Sequence, residues 1–430
     1  MQMPDRSTMP ALKEVGWMNF PAITSDALPS GIPVYIIPFG QQEVVEVQIL
    51  FSGGKFLEQI SGQSSFASGM LTEGTRHLNS KAFAEKTDFY GASIQAEAGL
   101  DANKVVLTTL LKHLEPTLEL LREATFFPRM NKEDFDLLCN RRIQSLEVDE
   151  KQTAFVARRE FNRLMFGNHH PYGSFCGIPE VNTLSIEQVK AFHALQYNPA
   201  NCAIIVSGKI NADKVLALLS KVFASDNLPT PSKSEITNIS KTDFSGGYHF
   251  FSMPESQQAT IRAGHPAFTR LNPDYYPMQV VNTIFGGYFG SRLMKSIREE
   301  KGYTYGIGSG WITLRETGMF IIQTDCANEY IENVRTEIRK ELLLLIEKGV
   351  EEKELFIVKN YILGTATSSR ETPSRIADIV ADALTLDLPF DRLDEKFEAV
   401  KSMTPAKVKL MAEKYLHPDN LMEVVCGSLK

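Results

Sequence analysis

Residues 185–208 read SIEQVKAFHALQYNPANCAIIVSG, and residues 404–427 read TPAKVKLMAEKYLHPDNLMEVVCG. A constant offset of 219 positions places Val189 on Val408, Lys190 on Lys409 and Pro199 on Pro418. The same offset places Asn201 on Asn420, Val206 on Val425 and Gly208 on Gly427, while Tyr197 and Tyr415 slip by one position. Both segments encode one unit. A Ser or Thr caps a short helix, a Pro stops it, and an apolar run such as Ala203–Ser207 forms a buried strand. The same order at one fixed offset implies a tandem duplication, with copies of about 210 residues each, inside the usual domain range.

Between the copies, Ser225–Gly247 is rich in Ser, Pro, Thr, Asn and Lys and poor in apolar residues, which reads as a surface linker. The chain therefore divides into a flexible extension over 1–18, a first copy over 19–224, a linker over 225–247 and a second copy over 248–430. Val44–Phe51 alternates as a strand. Glu332–Gly349 is an amphipathic helix, with Val334, Ile338, Leu342 and Leu345 as its buried stripe and a glycine stop. Thr313–Asp325 reads as a strand pair turning near Glu316–Gly318. Strands and helices without strict alternation predict an α+β fold: two similar domains, each a largely antiparallel sheet with helices packed on one face.

Composition narrows the classes of function. The chain is 43% hydrophobic and 23% charged, ordinary for globular proteins. A net charge of −7 without a long basic run argues against nucleic acid as a partner. The cysteines, Cys139, Cys176, Cys202, Cys326 and Cys426, are scattered and form no C-x-x-C pair, so reduced and mostly buried thiols are expected. Met1–Trp17 lacks the basic and apolar pattern of a signal peptide. No run of 18 apolar residues is present, so no spanning helix is expected. The cytoplasm is the default location, and the periplasm the alternative if a signal has been removed.

The densest local pattern lies in the second copy. Phe285–Gly290 reads FGGYFG and is followed by SRLMKSIREEKGYTYG over Ser291–Gly306. The glycines permit a tight entry into a helix, Ser291 can cap it, and Gly302 ends it. Arg298 then sits in the last turn, and Tyr303 or Tyr305 opens the next strand, so an Arg and a phenol can face one cleft. A purely structural version of this pair would be an ion pair to a neighbouring Glu and a buried tyrosine.

In this segment the sequence resembles the insulinase/pitrilysin/processing-peptidase family, whose C-terminal half carries a similar R-E-x-x-G-x-x-Y signature. The resemblance implies that Arg298 and Tyr305 are the substrate-binding and catalytic pair. His170–Gly173 (HPYG), the Tyr197–Pro199 turn, Asn201 and Gly208 are similar to the family's N-terminal copy. That family holds zinc with H-x-x-E-H, normally just before a Gly-Thr pair. Counting back from Gly74-Thr75, Ser65, Ser68 and Gly69 occupy the two His positions and the Glu position, with Gly69 at the second His. The distant Glu ligand should fall near Gln144 or Ser145, and no carboxylate appears until Glu147. Hydroxyls, a glycine and an amide do not hold zinc, and the general base is missing as well.

Other readings are weaker. None of the eight histidines pairs at i, i+4, and His169-His170 reads as a turn anchored by Pro171 and Tyr172. Gly306–Gly310 (GIGSG) has the look of a phosphate loop, but no Lys-Ser/Thr follows it, and a glycine-bearing strand is expected. Ser64, Ser65 and Ser68 lack a nucleophile elbow. The resemblance thus implies a subunit that binds no metal or cofactor. It would complete the site of a homologous, zinc-carrying H-x-x-E-H partner acting on peptides, with no role for membranes. A structural core subunit, a peptide-binding module and a self-sufficient peptidase with another site remain as alternatives.

Overall fold

The computed structural model of the chain describes residues 15–16, 19–230, 244 and 246–428. Most of the expected N-terminal extension, and 231–243 and 245 of the expected linker, lie outside the described residues. The strands are β1 Thr24–Ala27, β2 Pro33–Pro38, β3 Val44–Ser52, β4 Ser93–Ala98, β5 Ala102–Leu110 and β6 Cys202–Gly208 in one sheet. A second sheet holds β7 Gly247–Ser252, β8 Gln258–Ala267, β9 Thr304–Thr313, β10 Gly318–Ala327 and β11 Met422–Gly427. The orders are β1-β2-β6-β3-β5-β4 and β7-β11-β8-β10-β9. With β1 set aside, the two orders correspond strand for strand.

The duplication extends to strand direction. β6 runs parallel to β2 and antiparallel to β3, as β11 runs parallel to β7 and antiparallel to β8. The quoted segments fold alike. Ser185 accepts from the Gln188 amide at 3.3 Å and Thr404 from the Lys407 amide at 3.2 Å, each capping its helix. Pro199 and Pro418 turn the chain into the buried strands β6 and β11. The helix Ile331–Lys348 buries Val334, Ile338, Leu342 and Leu345, and Gly349 stops it with φ +67°.

Helices cover one face of each sheet, as expected of the α+β class, and form the two main cores. The second face of each sheet is covered by one helix from the other copy. Helix Thr153–Phe166 of the first copy lays Val156, Ala157, Phe161 and Met165 on Met319, Ile321, Met422 and Val424 of the second sheet. Helix Pro373–Thr385 lays Ile376, Ala377, Val380 and Ala381 on Ile37, Leu50 and Ile205 of the first. These helices occupy equivalent places in the duplication, so the exchange is reciprocal. It explains why β3 begins by alternating but is continuously buried from Val47 to Phe51: both of its faces are covered. The β9–β10 hairpin is longer than the sequence indicated, beginning at Thr304, and turns over residues 314–317.

Candidate functional site

The glycine-rich loop is locked against the edge of the second sheet. The Gly286 carbonyl accepts from the Ser309 amide at 3.0 Å. A Cβ on Gly286 would lie 2.5 Å from Ser309 Oγ, and one on Gly287 2.7 Å from Thr283 Cα, so only glycine permits this approach. Tyr288 packs against Tyr361 with tilted rings, 4.9 Å between ring centres. Phe289 points outward and is 63% exposed.

The chain then winds through Met294–Glu300 as a π-helix, with the Lys301 amide bonded five residues back to the Ser296 carbonyl at 3.2 Å. Such windings recur at functional sites. Ser291 does not cap it: the Ser291 hydroxyl is buried without a partner among the described residues, and its carbonyl accepts from Lys295 instead. Gly302 (φ +65°) ends the segment, and Thr304, not either tyrosine, opens β9.

This winding brings Arg298 between two rings. Its guanidinium carbon lies 4.7 Å from the centre of Phe289 and 5.3 Å from that of Tyr305, within cation–π range. Among the described residues, no carboxylate pairs with Arg298 and no acceptor takes a hydrogen bond from its side chain. Tyr305 is 91% exposed. Neither the ion pair nor the buried tyrosine of a structural pair is present.

The adjoining edge of β9 is occupied. The Asn282 amide group donates to the Ser309 carbonyl and the Gln279 amide group to the Trp311 carbonyl, each at 3.3 Å. With Ser309 N–H bonded to Gly286, the backbone of Ser309 and the Trp311 carbonyl are already used and are not open to an added peptide strand.

In the first copy, Ser65, Ser68 and Gly69 lie on helix Gln63–Met70. Ser65 donates to the Gly62 carbonyl at 3.0 Å. Ser68 is buried beside the Tyr197 hydroxyl. A Cβ on Gly69 would touch Leu138 at 3.0 Å, on the packed helix Lys132–Asp149 that carries Gln144, Ser145 and an exposed Glu147. Ser64 and Tyr197 both bond to Asn103, at 3.1 and 3.0 Å. Neutral hydroxyls and an amide fill the place, and this set does not fit zinc. Among the described residues no group of three or more His, Cys, Asp or Glu could hold a metal ion.

The HPYG segment is a turn. His170 Nδ1 accepts from the Tyr172 amide at 3.1 Å. The Tyr172 hydroxyl donates to Asp101 at 2.5 Å and accepts from the Glu316 amide at 3.4 Å. Burial raises the pKa of Asp101 and lowers that of His170. His193 bonds the Thr125 carbonyl at 2.8 Å, and loss of surrounding water pushes its pKa down to about 4. The five cysteines are free thiols, and three of them, Cys202, Cys326 and Cys426, are buried. No described helix is long and apolar enough to cross a membrane.

Sequence reasoning selected Arg298 and Tyr305 and did not foresee Phe289 beside them.

Known proteins place this architecture. Residues 183–361 match the family model described as the peptidase M16 inactive domain. The uncharacterized zinc protease YmxG of Bacillus subtilis is 22% identical over 86% of this chain and 89% of its own length. The non-peptidase homolog YmxG of Helicobacter pylori is 20% identical over 89% of each. The crystal structure of a peptidase M16 inactive domain from Pseudomonas fluorescens superimposes with a TM-score of 0.86 at 23% identity, covering 95% of this chain and 98% of that one. By the model matched over residues 183–361, by relatives aligned along most of its length and by its duplicated fold, the chain is similar to proteins of the M16 (insulinase/pitrilysin/processing-peptidase) family and, within the matched segment, to that family's inactive domain.

Proposed function

We propose that the chain is the metal-free half of a two-chain zinc peptidase. A homologous partner supplies H-x-x-E-H, its zinc and the general base; this chain supplies Arg298 and Tyr305. Arg298 holds a peptide carbonyl or carboxylate with its fork of donors. The Tyr305 hydroxyl donates to the oxygen that gains charge as the peptide carbonyl is attacked.

The observation that carries this reading is the state of the pair: a guanidinium beside two rings with none of its donors used among the described residues, next to a phenol that is 91% exposed. Side chains serving only stability would be paired or buried. The backbone groups already used at Ser309 and Trp311 agree with an arrangement in which the substrate strand adds to the partner's sheet.

The test is a peptidase assay of this chain, of a similar-length H-x-x-E-H chain, and of their mixture, with zinc measured in each. Activity that appears only on mixing is expected. Stoichiometric zinc and turnover in the lone chain would overturn the reading. The name non-peptidase homolog carried by one relative favours a second reading, a subunit with a purely structural role. That reading predicts a stable complex whose activity does not depend on Arg298 or Tyr305.

A further inference from the structure

Phe289 stands at the surface beside the Arg298 guanidinium. It follows Tyr288, which is anchored on Tyr361, and it stands on a loop fixed to β9 by Gly286. Its ring is 63% exposed and lies 4.7 Å from the Arg298 guanidinium carbon. Tyr305 stands on the same cation, 5.3 Å away. The result is an open platform of two exposed rings beside a charged fork that is unpaired among the described residues.

Each part of that platform has a distinct chemical preference. The fork takes oxygen acceptors. The Phe289 ring offers only apolar surface and a π-face, with no donor or acceptor of its own. A peptide whose carbonyl is held by Arg298 must place a neighbouring side chain against Phe289. A polar side chain there would lose water without gaining a hydrogen bond. An apolar or aromatic one would cover surface that is otherwise wet.

We propose that Phe289 is a specificity-determining residue of the Arg298–Tyr305 site, selecting peptides that carry an apolar or aromatic side chain next to the carbonyl that Arg298 holds. This rests on the reading of Arg298 as a peptide-holding group.

The test uses the intact chain and two fluorescein-labelled hexapeptides of equal charge, one rich in Leu and Phe and one rich in Ser and Gln. Binding is followed by anisotropy up to the solubility limit of each peptide. The chain should bind the Leu/Phe peptide about 10-fold more tightly, the scale on which an apolar subsite discriminates. Phe289→Ser should remove that preference and leave the Ser/Gln peptide within about 2-fold, the scatter expected of an exposed substitution. Phe289→Leu should retain most of it. Arg298→Ala should weaken both peptides together.

If Arg298→Ala weakens both peptides while Phe289→Ser leaves the preference intact, or lowers both equally, the proposal for Phe289 is wrong and the role of Arg298 stands. If Arg298→Ala changes neither, the reading of the site is wrong and the proposal falls with it; if the unmodified chain binds neither peptide, or both alike, the proposal for Phe289 is wrong.

Discussion

Asp101, in the turn between β4 and β5, accepts a hydrogen bond at 3.1 Å from the amide of Arg315, in the turn between β9 and β10. These are equivalent hairpin turns of the two copies, so the molecule is clasped where its repeats mirror each other. Tyr172 completes the clasp by donating to Asp101 and accepting from Glu316.

Tyr172→Phe should therefore destabilise the protein by about 1–3 kcal/mol, because the buried Asp101 carboxyl loses a donor without regaining water. Asp101→Asn should cost less, since its amide oxygen still accepts from Tyr172. Urea denaturation of the two variants checks the order. Equal stability of Tyr172→Phe and the unmodified chain would refute the clasp.

Tyr305→Phe should leave stability unchanged, since a 91% exposed side chain contributes little to packing. In the two-chain complex it should lower kcat by about 100-fold, the scale on which loss of one oxyanion donor acts. Steady-state kinetics, with complex formation verified by light scattering, provides the measurement. Full activity would exclude Tyr305 from the chemistry.

His193 should make the fold acid-sensitive. Its folded pKa is pushed down to about 4 from an ordinary value of 6.5. Protons therefore bind the unfolded chain first. The stabilisation is complete above pH 6.5 and is lost as pH falls toward 4, at up to about 1.4 kcal/mol per pH unit. Burial lowers the pKa of His170 and His265 as well, in the same sense. His193→Gln should flatten the stability–pH profile in that window, read by thermal melts at fixed ionic strength. An unchanged slope would contradict this account.

Phe161→Ala should cost about 3–5 kcal/mol, as for a fully buried aromatic. Its effect should appear in the other copy. Phe161 faces Gly264 on β8, where a Cβ would sit 3.0 Å from its ring. Amide exchange should accelerate in β8 and β11, ahead of β3 and β6. The reverse order would mean that the exchanged helices do not support the sheets they cover.

Much of this was legible in the sequence. The 219-residue offset located both capped helices and both buried strands, because caps, proline stops and apolar runs are local signals. The stripe on Ile331–Lys348 was legible for the same reason. The helix exchange was not. Val156, Ala157 and Phe161 announce a buried face, but an apolar stripe does not name the sheet that buries it. Ser291 looked like a cap and is not one, because the π winding buries its hydroxyl. That Arg298 and Tyr305 come side by side was legible in their segment. The approach of Phe289 to Arg298 was not read from it, because it depends on the loop folding back toward a side chain nine positions later.

The reciprocal helices also constrain how the protein is made. When the ribosome has completed β6, the first sheet still has a bare apolar flank, and the helix that will cover it lies more than 160 residues further along the message. A nascent chain in that interval presents Ile37, Leu50 and Ile205 to its surroundings. At a synthesis rate of about 5–20 residues per second the exposure lasts on the order of ten seconds or more. That interval is long enough for holdase chaperones to engage, which makes their availability a determinant of yield.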